Sequence, residues 1–179
     1  MTVQPAGTRA AELRERFDRS FAEPVDRHEV EYVELLAVRA GGRPYVLRLG
    51  QTFALHPDRP VTPLPGPLGA LLGVAGFGGT IVPVYDLATL LGHPVPDRPR
   101  WLVLAAGDPA LAFAFHELDG HVRVPNGLII TETAGGRNRG SVRGMAPLPD
   151  GTRPIVDLTA ARAAVHALAK HADSGERQT

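Results

Sequence analysis

The stretch Leu72–Gly92, LGVAGFGGTIVPVYDLATLLG, returns in part later in the same chain. Its second half reads Pro83-Val84-Tyr85-Asp86-Leu87-Ala88-Thr89-Leu90, and Pro154-Ile155-Val156-Asp157-Leu158-Thr159-Ala160-Ala161 echoes it. Each copy is an apolar strand carrying a proline, an aspartate at the strand end, and the start of a helix. A strand-plus-capped-helix unit used twice predicts two similar halves packed together. Two packed halves leave a groove, so the repeat points to binding before any catalytic group is sought.

The length of 179 residues suits one domain or two tightly packed subdomains. A chain of this size can bury about 70% of its unfolded surface, enough for a sizeable core. Lys plus Arg equals Asp plus Glu, so the formal charge is zero and no general attraction to nucleic acid or acidic membranes follows. The cations are almost all arginine, Lys170 being the exception, and with so much Ala, Gly and Pro this reads as GC-rich coding rather than phosphate binding. Cysteine is absent, which removes disulfide and thiolate chemistry and agrees with a reducing cytosol. The start, MTVQPAGTRAAELRERF, lacks a secretory apolar core, and no run of about 18 apolar residues exists to span a membrane.

Thr8–Phe21 reads as a helix capped by Thr8, with Leu13, Phe17 and Phe21 on one face and Pro24 ending it. It is either a surface helix docked on the domain or an arm for a partner. Short strands follow. Glu31–Val38 and Pro44–Leu49 flank a Gly41-Gly42 hairpin signal, and Gln51–Leu55 stops at His56-Pro57. Pro60–Pro67 is too rich in proline for a central strand. Leu68–Gly73 reads as a helical turn, Thr80–Tyr85 as a strand and Leu87–Leu91 as a short helix ended by Gly92. Trp101–Ala106, Leu111–Leu118 and His121–Val124 read as further strands. Thr133–Gly144 is a glycine-rich loop with Arg137, Arg139 and Arg143; Val142–Leu148 and Arg153–Val156 are strands, and Thr159–Ala172 is the last helix. The expected domains are 1–29, a helix and linker; 30–172, the folded body; and 173–179, a disordered tail. The expected fold is mainly β, of the barrel type.

Several polar groupings invite chemistry. In an extended chain Glu117, Asp119 and His121 of His116–His121 share a face that suits a divalent metal, while Asp119-Gly120 equally reads as a turn or bulge. Gly76-Phe77-Gly78-Gly79 is either a phosphate cradle or a tight corner; it precedes a strand rather than a helix and no P-loop lysine follows, which favours the corner. Ser20, Ser141 and Ser174 lack a nucleophile-elbow context. The Arg/Gly loop has no interleaved aromatics and reads as an exposed loop rather than a nucleic-acid contact. Asp86 and Asp157 read as helix caps.

Gly73-Val74, then Gly79-Thr80-Ile81-Val82-Pro83-Val84-Tyr85-Asp86-Leu87, then Leu91-Gly92, resembles the core signature of the CheW family of chemotaxis coupling proteins. Leu35–Leu49, Gln51–His56 and Thr62-Pro63-Leu64-Pro65-Gly66 resemble the family's first half. Leu111–Val124 resembles its second-half hairpin, and Val142-Arg143-Gly144 with Pro154–Ala161 its closing strands. Glu12–Arg16 ending in Ala22-Glu23-Pro24 resembles a leader found in some members. The resemblance covers roughly Val30–Val165. It implies two packed five-stranded β-barrel subdomains with short helices and an N-terminal helix. It implies a non-enzymatic, cytoplasmic adaptor without cofactor or metal, at receptor arrays on the inner membrane face. Its partners would be the chemoreceptor cytoplasmic tip and the regulatory domain of a CheA-type histidine kinase, with no nucleic acid and no direct membrane insertion.

The resemblance assigns Gly73, Gly79, Pro83, Asp86, Leu87 and Asp157 to the structural motif, and a partner-binding patch to Thr52, Phe53, Leu55, Leu72, Val74, Phe77 and Gly78. The chain departs from the family at three places. Gly76, Phe77 and Gly78 stand where Asn-Leu-Arg is usual, Ala54 where an acid is usual, and His116 where Asp is common. Losing an Arg and its carboxylate together leaves neither unpaired, so partner choice changes more than stability. Three other readings remain: a CheW-like module serving another signalling scaffold, a small metal-binding protein built on His116–His121, and an inactive relative that keeps only the fold.

Overall fold

The structure, a computed structural model, describes residues 30–65, 69–94, 99–131 and 140–176, with side chains as far as Lys170. The chain divides into Met1–Val30 and Glu31–Thr179, and the description concerns the second unit. The helix expected over Thr8–Phe21 and most of the Arg/Gly loop lie outside the described residues.

Among the described residues ten strands are formed: β1 (Tyr32–Ala40), β2 (Arg43–Arg48), β3 (Thr52–Pro57), β4 (Leu71–Phe77), β5 (Thr80–Asp86), β6 (Trp101–Ala105), β7 (Leu111–Phe115), β8 (Glu117–Pro125), β9 (Val142–Leu148) and β10 (Gly151–Val156). Two helices follow strand ends, α1 (Leu87–Leu90) after β5 and α2 (Leu158–Glu176) after β10. The strands make two five-stranded sheets, in the orders β8-β1-β2-β10-β9 and β3-β6-β7-β5-β4. Each sheet contains one parallel pair, β10 on β2 and β5 on β7; the others are antiparallel. The orders correspond strand for strand, so the echo seen in the sequence is one corner of a repeat that covers both sheets. The halves are interleaved, because the first sheet takes β1 and β2 from the chain's start and β8 to β10 from its end.

Side-chain alternation explains why both faces of the central strands are apolar. In β1, Leu35 and Ala37 turn into the curl of their own sheet, while Leu36, Val38 and Ala40 turn toward the other sheet. In β7, Ala112 and Ala114 face inward, and Leu111, Phe113 and Phe115 join the shared layer. Leu87 and Leu158, the first residues of the two helices, complete that layer and are fully buried. Each such side chain contributes about 1.5–3 kcal/mol of burial free energy, so the shared layer is what holds the halves together.

The two closed barrels expected from the resemblance are not present as such. Each sheet ends in two edge strands, β8 and β9 in one and β3 and β4 in the other. A single bridge covers part of an edge in each: Thr62 exchanges backbone hydrogen bonds with Val74 at 2.8 and 2.9 Å, and Ile130 does the same with Met145 at 3.0 and 2.8 Å. The residue before each bridged position is glycine. A Cβ on Gly73 would lie 2.0 Å from the Thr62 carbonyl oxygen, and one on Gly144 would lie 2.5 Å from that of Ile130. Both glycines also have positive φ, 145° and 101°.

Other expectations change. Of the helical turn expected over Leu68–Gly73, Leu68 lies outside the described residues and Leu71–Gly73 belong to β4. Leu111–Leu118 is not one strand, and Leu111–Val124 is not a hairpin. The chain passes from one sheet to the other at His116, so β7 and β8 do not pair. Helix α2 runs to Glu176, four residues into the tail expected to be disordered.

Candidate functional site

In each sheet the edge strand beside the central strands carries a bulge. Between β3 and β6, Thr52 pairs with Ala105 and Ala54 with Leu104, so Phe53 is the extra residue. Between β8 and β1, Leu118 pairs with Val38 and Gly120 with Ala37, so Asp119 is the extra residue. The two bulges occupy matching places, and what they face differs. In the first sheet Asp119 meets Arg153 of β10, whose side chain is 6% exposed, at 2.6 Å from Nη1 to Oδ2. Arg153 also donates to Asp150, and Arg39 pairs with Asp119 at 3.2 Å. This cluster closes the mouth of the first curl. The Arg153 guanidinium holds the Asp150 carboxyl below its usual range, chiefly through their hydrogen bond.

In the second sheet the repeat places Val82 where Arg153 stands, and Phe53 where Asp119 stands. Among the described residues no ion cluster closes this mouth. A cleft of about 410 Å³ opens there instead, with Ala54, Phe77, Val82 and Leu104 in its walls and Phe53 at the rim. Phe53 is 78% exposed, while Phe77 is buried and belongs to the sheet's inner core. Gly78 and Gly79, with φ of 54° and 84°, form the two-residue turn between β4 and β5 at the cleft edge. Two positive φ values in succession suit a type I′ hairpin turn, which glycine adopts without strain. The Gly76–Gly79 stretch is therefore a hairpin end, and the phosphate-cradle reading does not hold.

Basic side chains border the cleft. Arg59, from the connection after β3, lies with its guanidinium carbon 4.7 Å from the Phe77 ring centroid. His56 packs on the same ring at 5.1 Å, and Arg59 Nη1 lies 3.5 Å from His56 Nδ1. The neighbouring acid, Asp58, is engaged elsewhere, accepting hydrogen bonds from Arg100 at 3.0–3.2 Å. Neither His56 nor Arg59 stands out in the sequence as more than a strand stop and one arginine among many. Only the fold, by bringing the post-β3 segment over the β4–β5 hairpin, sets them beside Phe77.

Of the seven patch residues expected from the sequence, the structure gathers Phe53, Phe77 and Gly78 around this cleft. The other four do not line it. Thr52 donates its hydroxyl to the Leu49 carbonyl at 2.7 Å, and Leu55 packs against the shared core layer. Leu72 supports the inner core and lines a separate depression with Val61 and Pro63. The backbone of Val74 is occupied by Thr62. This apolar opening lies within the second sheet.

The motif residues build the scaffold around it. Asp86, fully buried, accepts from Thr89 N at 2.6 Å and Thr89 Oγ1 at 2.9 Å, which caps α1. Asp157 accepts from Ala160 N at 3.0 Å at the start of α2. Gln51, at the crossing from β2 to β3, donates to Asp157 at 3.1 Å and accepts from Leu158 N at 3.0 Å. That contact ties the passage between sheets to the helix start. Leu87 sits in the shared layer and Pro83 in β5. Burial pushes the Tyr85 phenol above its usual range.

The His116–His121 segment is committed to ion pairing. Glu117 and Asp119 face Arg39, Asp119 also holds Arg153, and His121 meets Glu34. Among the described residues no group of three or more His, Asp or Glu side chains is placed to hold a metal. Among them, too, no helix is long and apolar enough to cross a membrane.

Comparison with known proteins adds a family. The family model described as CheW-like domain matches residues 34–164. No curated protein sequence matches the chain. Among solved structures, the crystal structure of the scaffolding protein TtCheW from Thermoanaerobacter tengcongensis is similar, with a TM-score of 0.64 and 14% identity. The match covers 71% of this chain and 90% of that one. At that identity the likeness speaks to the fold.

Proposed function

The chain belongs to the family of CheW-like domains, and from that premise we propose that it is a non-enzymatic adaptor in chemotaxis signalling. It couples the cytoplasmic tips of chemoreceptors to the regulatory domain of a CheA-type histidine kinase, in the cytoplasm at receptor arrays. The observation that carries this reading is the family match over residues 34–164, which takes in strands of both sheets. The open cleft of the second sheet supports it. An apolar wall with one exposed aromatic at the rim is a surface that a partner segment can fill, and the matching mouth of the first sheet is closed by its own ions. Adaptor contacts of this kind are modest in area and reversible.

A second reading is favoured by Ala54 and Gly78, which both line the cleft. With neither an acid nor an arginine at these two positions, the cleft suits a partner unlike the usual receptor tip. The chain is then a CheW-like module of another signalling scaffold.

Titration calorimetry of the full chain with the cognate kinase regulatory domain and with a receptor-tip fragment tests the proposal. Binding of both fragments in the micromolar range is expected. Absence of binding at tens of micromolar for both overturns it. Binding to the kinase alone selects the second reading.

A further inference from the structure

We infer that the cleft of the second sheet takes a protein segment presenting an apolar side chain beside a carboxylate, and that Arg59 is the residue that recognises the carboxylate. The inference rests on the reading of the chain as an adaptor and adds the chemistry of what enters this site.

Charge complementarity carries the argument. Among the described residues the cleft walls include Arg59 and His56 but no acidic side chain. Arg59 has no carboxylate partner among the described residues, because Asp58 is held by Arg100. Its guanidinium is not loose either. It stacks over the buried Phe77 ring at 4.7 Å and leans on His56. A stacked guanidinium keeps its outer edge of N–H donors free for a bidentate carboxylate while its face is occupied. Little side-chain entropy is then left to lose on binding.

Arg59 also borders two neighbouring depressions, one with Pro57 and Gly76 and one with Val61 and Leu72. It therefore stands where an apolar side chain in the cleft and an acid just outside it would both be reached. The walls exclude simpler occupants. A free phosphate or a nucleic-acid backbone would satisfy Arg59 and leave Ala54, Phe77, Val82 and Leu104 uncovered. A segment with an aliphatic or aromatic side chain covers them.

The test is calorimetric binding of the kinase regulatory domain and the receptor-tip fragment to the full chain and to four variants: Arg59→Gln, Arg59→Lys, Arg59→Glu and Phe53→Ala. Each variant's fold is first checked by its urea midpoint. Arg59→Glu is expected to raise Kd about tenfold or more, as loss and reversal of an interfacial charge pair does, and Arg59→Gln by less. Arg59→Lys keeps the charge without the fork and falls between wild type and Gln. Replacing the partner's acid by lysine should restore binding of Arg59→Glu. The wild-type Kd should also weaken between about 50 and 300 mM salt more than that of Arg59→Gln.

If Phe53→Ala loses affinity while all three Arg59 variants bind as wild type, the cleft is the site and the role of Arg59 is overturned. If neither position matters to a partner that does bind, the cleft is not the site and the inference falls, while the adaptor reading stands. If no fragment binds the wild type, both fall together. Affinity for a phosphate-bearing probe, phosphoserine or a short DNA oligonucleotide, equal to that for the protein fragments would overturn the assignment of a carboxylate segment.

Discussion

Gly73→Ala is the substitution that most directly tests how this fold is closed. The added Cβ would sit 2.0 Å from the Thr62 carbonyl oxygen, 2.7 Å from its carbon and 2.8 Å from Pro63 Cα. All three are backbone atoms of a proline-flanked segment, so no side chain can rotate away. The chain has two ways to respond. It can keep the Thr62–Val74 bridge and strain the backbone at φ 145°, which costs about 1–3 kcal/mol. It can instead let the segment lift and lose the two bridge hydrogen bonds, about 1–3 kcal/mol for the pair. With the edge of β4 uncovered, part of the inner core packed by Val61 and Leu72 loosens as well. The expected cost is about 1–3 kcal/mol by either route, with the core loosening added to the second, a sizeable share of the 5–15 kcal/mol typical of a domain. The measurement is urea unfolding followed by circular dichroism on wild type, Gly73→Ala and Gly76→Ala. Gly76 lies in the same strand with no atom within 4 Å of its virtual Cβ and no positive φ, so it is the matched control. Gly144→Ala should repeat the effect of Gly73→Ala from the other half, since its Cβ would meet the Ile130 carbonyl oxygen at 2.5 Å. A Gly73→Ala midpoint no lower than that of Gly76→Ala would refute the reasoning.

Asp86→Ala removes the α1 cap and should cost about 1–2 kcal/mol in urea unfolding, while Asp86→Asn keeps an acceptor there and should cost less. Asp150 is held below its usual pKa of 3.8 by Arg153. The stability this pair contributes is therefore complete above that value and is lost as pH falls through the lowered one. Thermal midpoints measured from pH 7 downward should show this loss in wild type and a shallower acid slope in Arg153→Met; equal slopes would count against the pair. Phe53→Ala, at an exposed position, should leave the urea midpoint within about 0.5 kcal/mol of wild type. It should nonetheless weaken partner binding in calorimetry, and a Phe53 variant that binds as wild type would remove the cleft from the interface.

Much of the architecture is legible in the residues because it rests on local rules. Gly78-Gly79 between two alternating apolar runs marks a hairpin, and Asp86 and Asp157 mark helix starts by the hydrogen bonds a short carboxylate makes to free N–H groups. The echo of Pro83–Leu90 in Pro154–Ala161 marks two halves. What misleads is continuity. Leu111–Leu118 looks like one strand because apolar residues run on through His116, yet the chain changes sheets there, and no local pattern records which neighbour a strand will pair with. Only Phe53, Phe77 and Gly78 of the seven-residue patch line the cleft, for a related reason. Alternation sends Leu55 to one face of β3 while the bulge at Phe53 turns its ring outward, and a bulge depends on the partner strand's register.

Taken alone, the sequence determined the mainly β character, the repeat, the capped helix starts and the family, since these follow from periodicity, turn chemistry and a signature carried by consecutive residues. Only the tertiary structure decided that the halves are interleaved open sheets, that Arg153 and Asp119 close one mouth while Val82 and Phe53 leave the other open, and that Arg59 lies over Phe77. Those outcomes depend on contacts between residues far apart in the chain, and their energies exist only once the two sheets have set the distances.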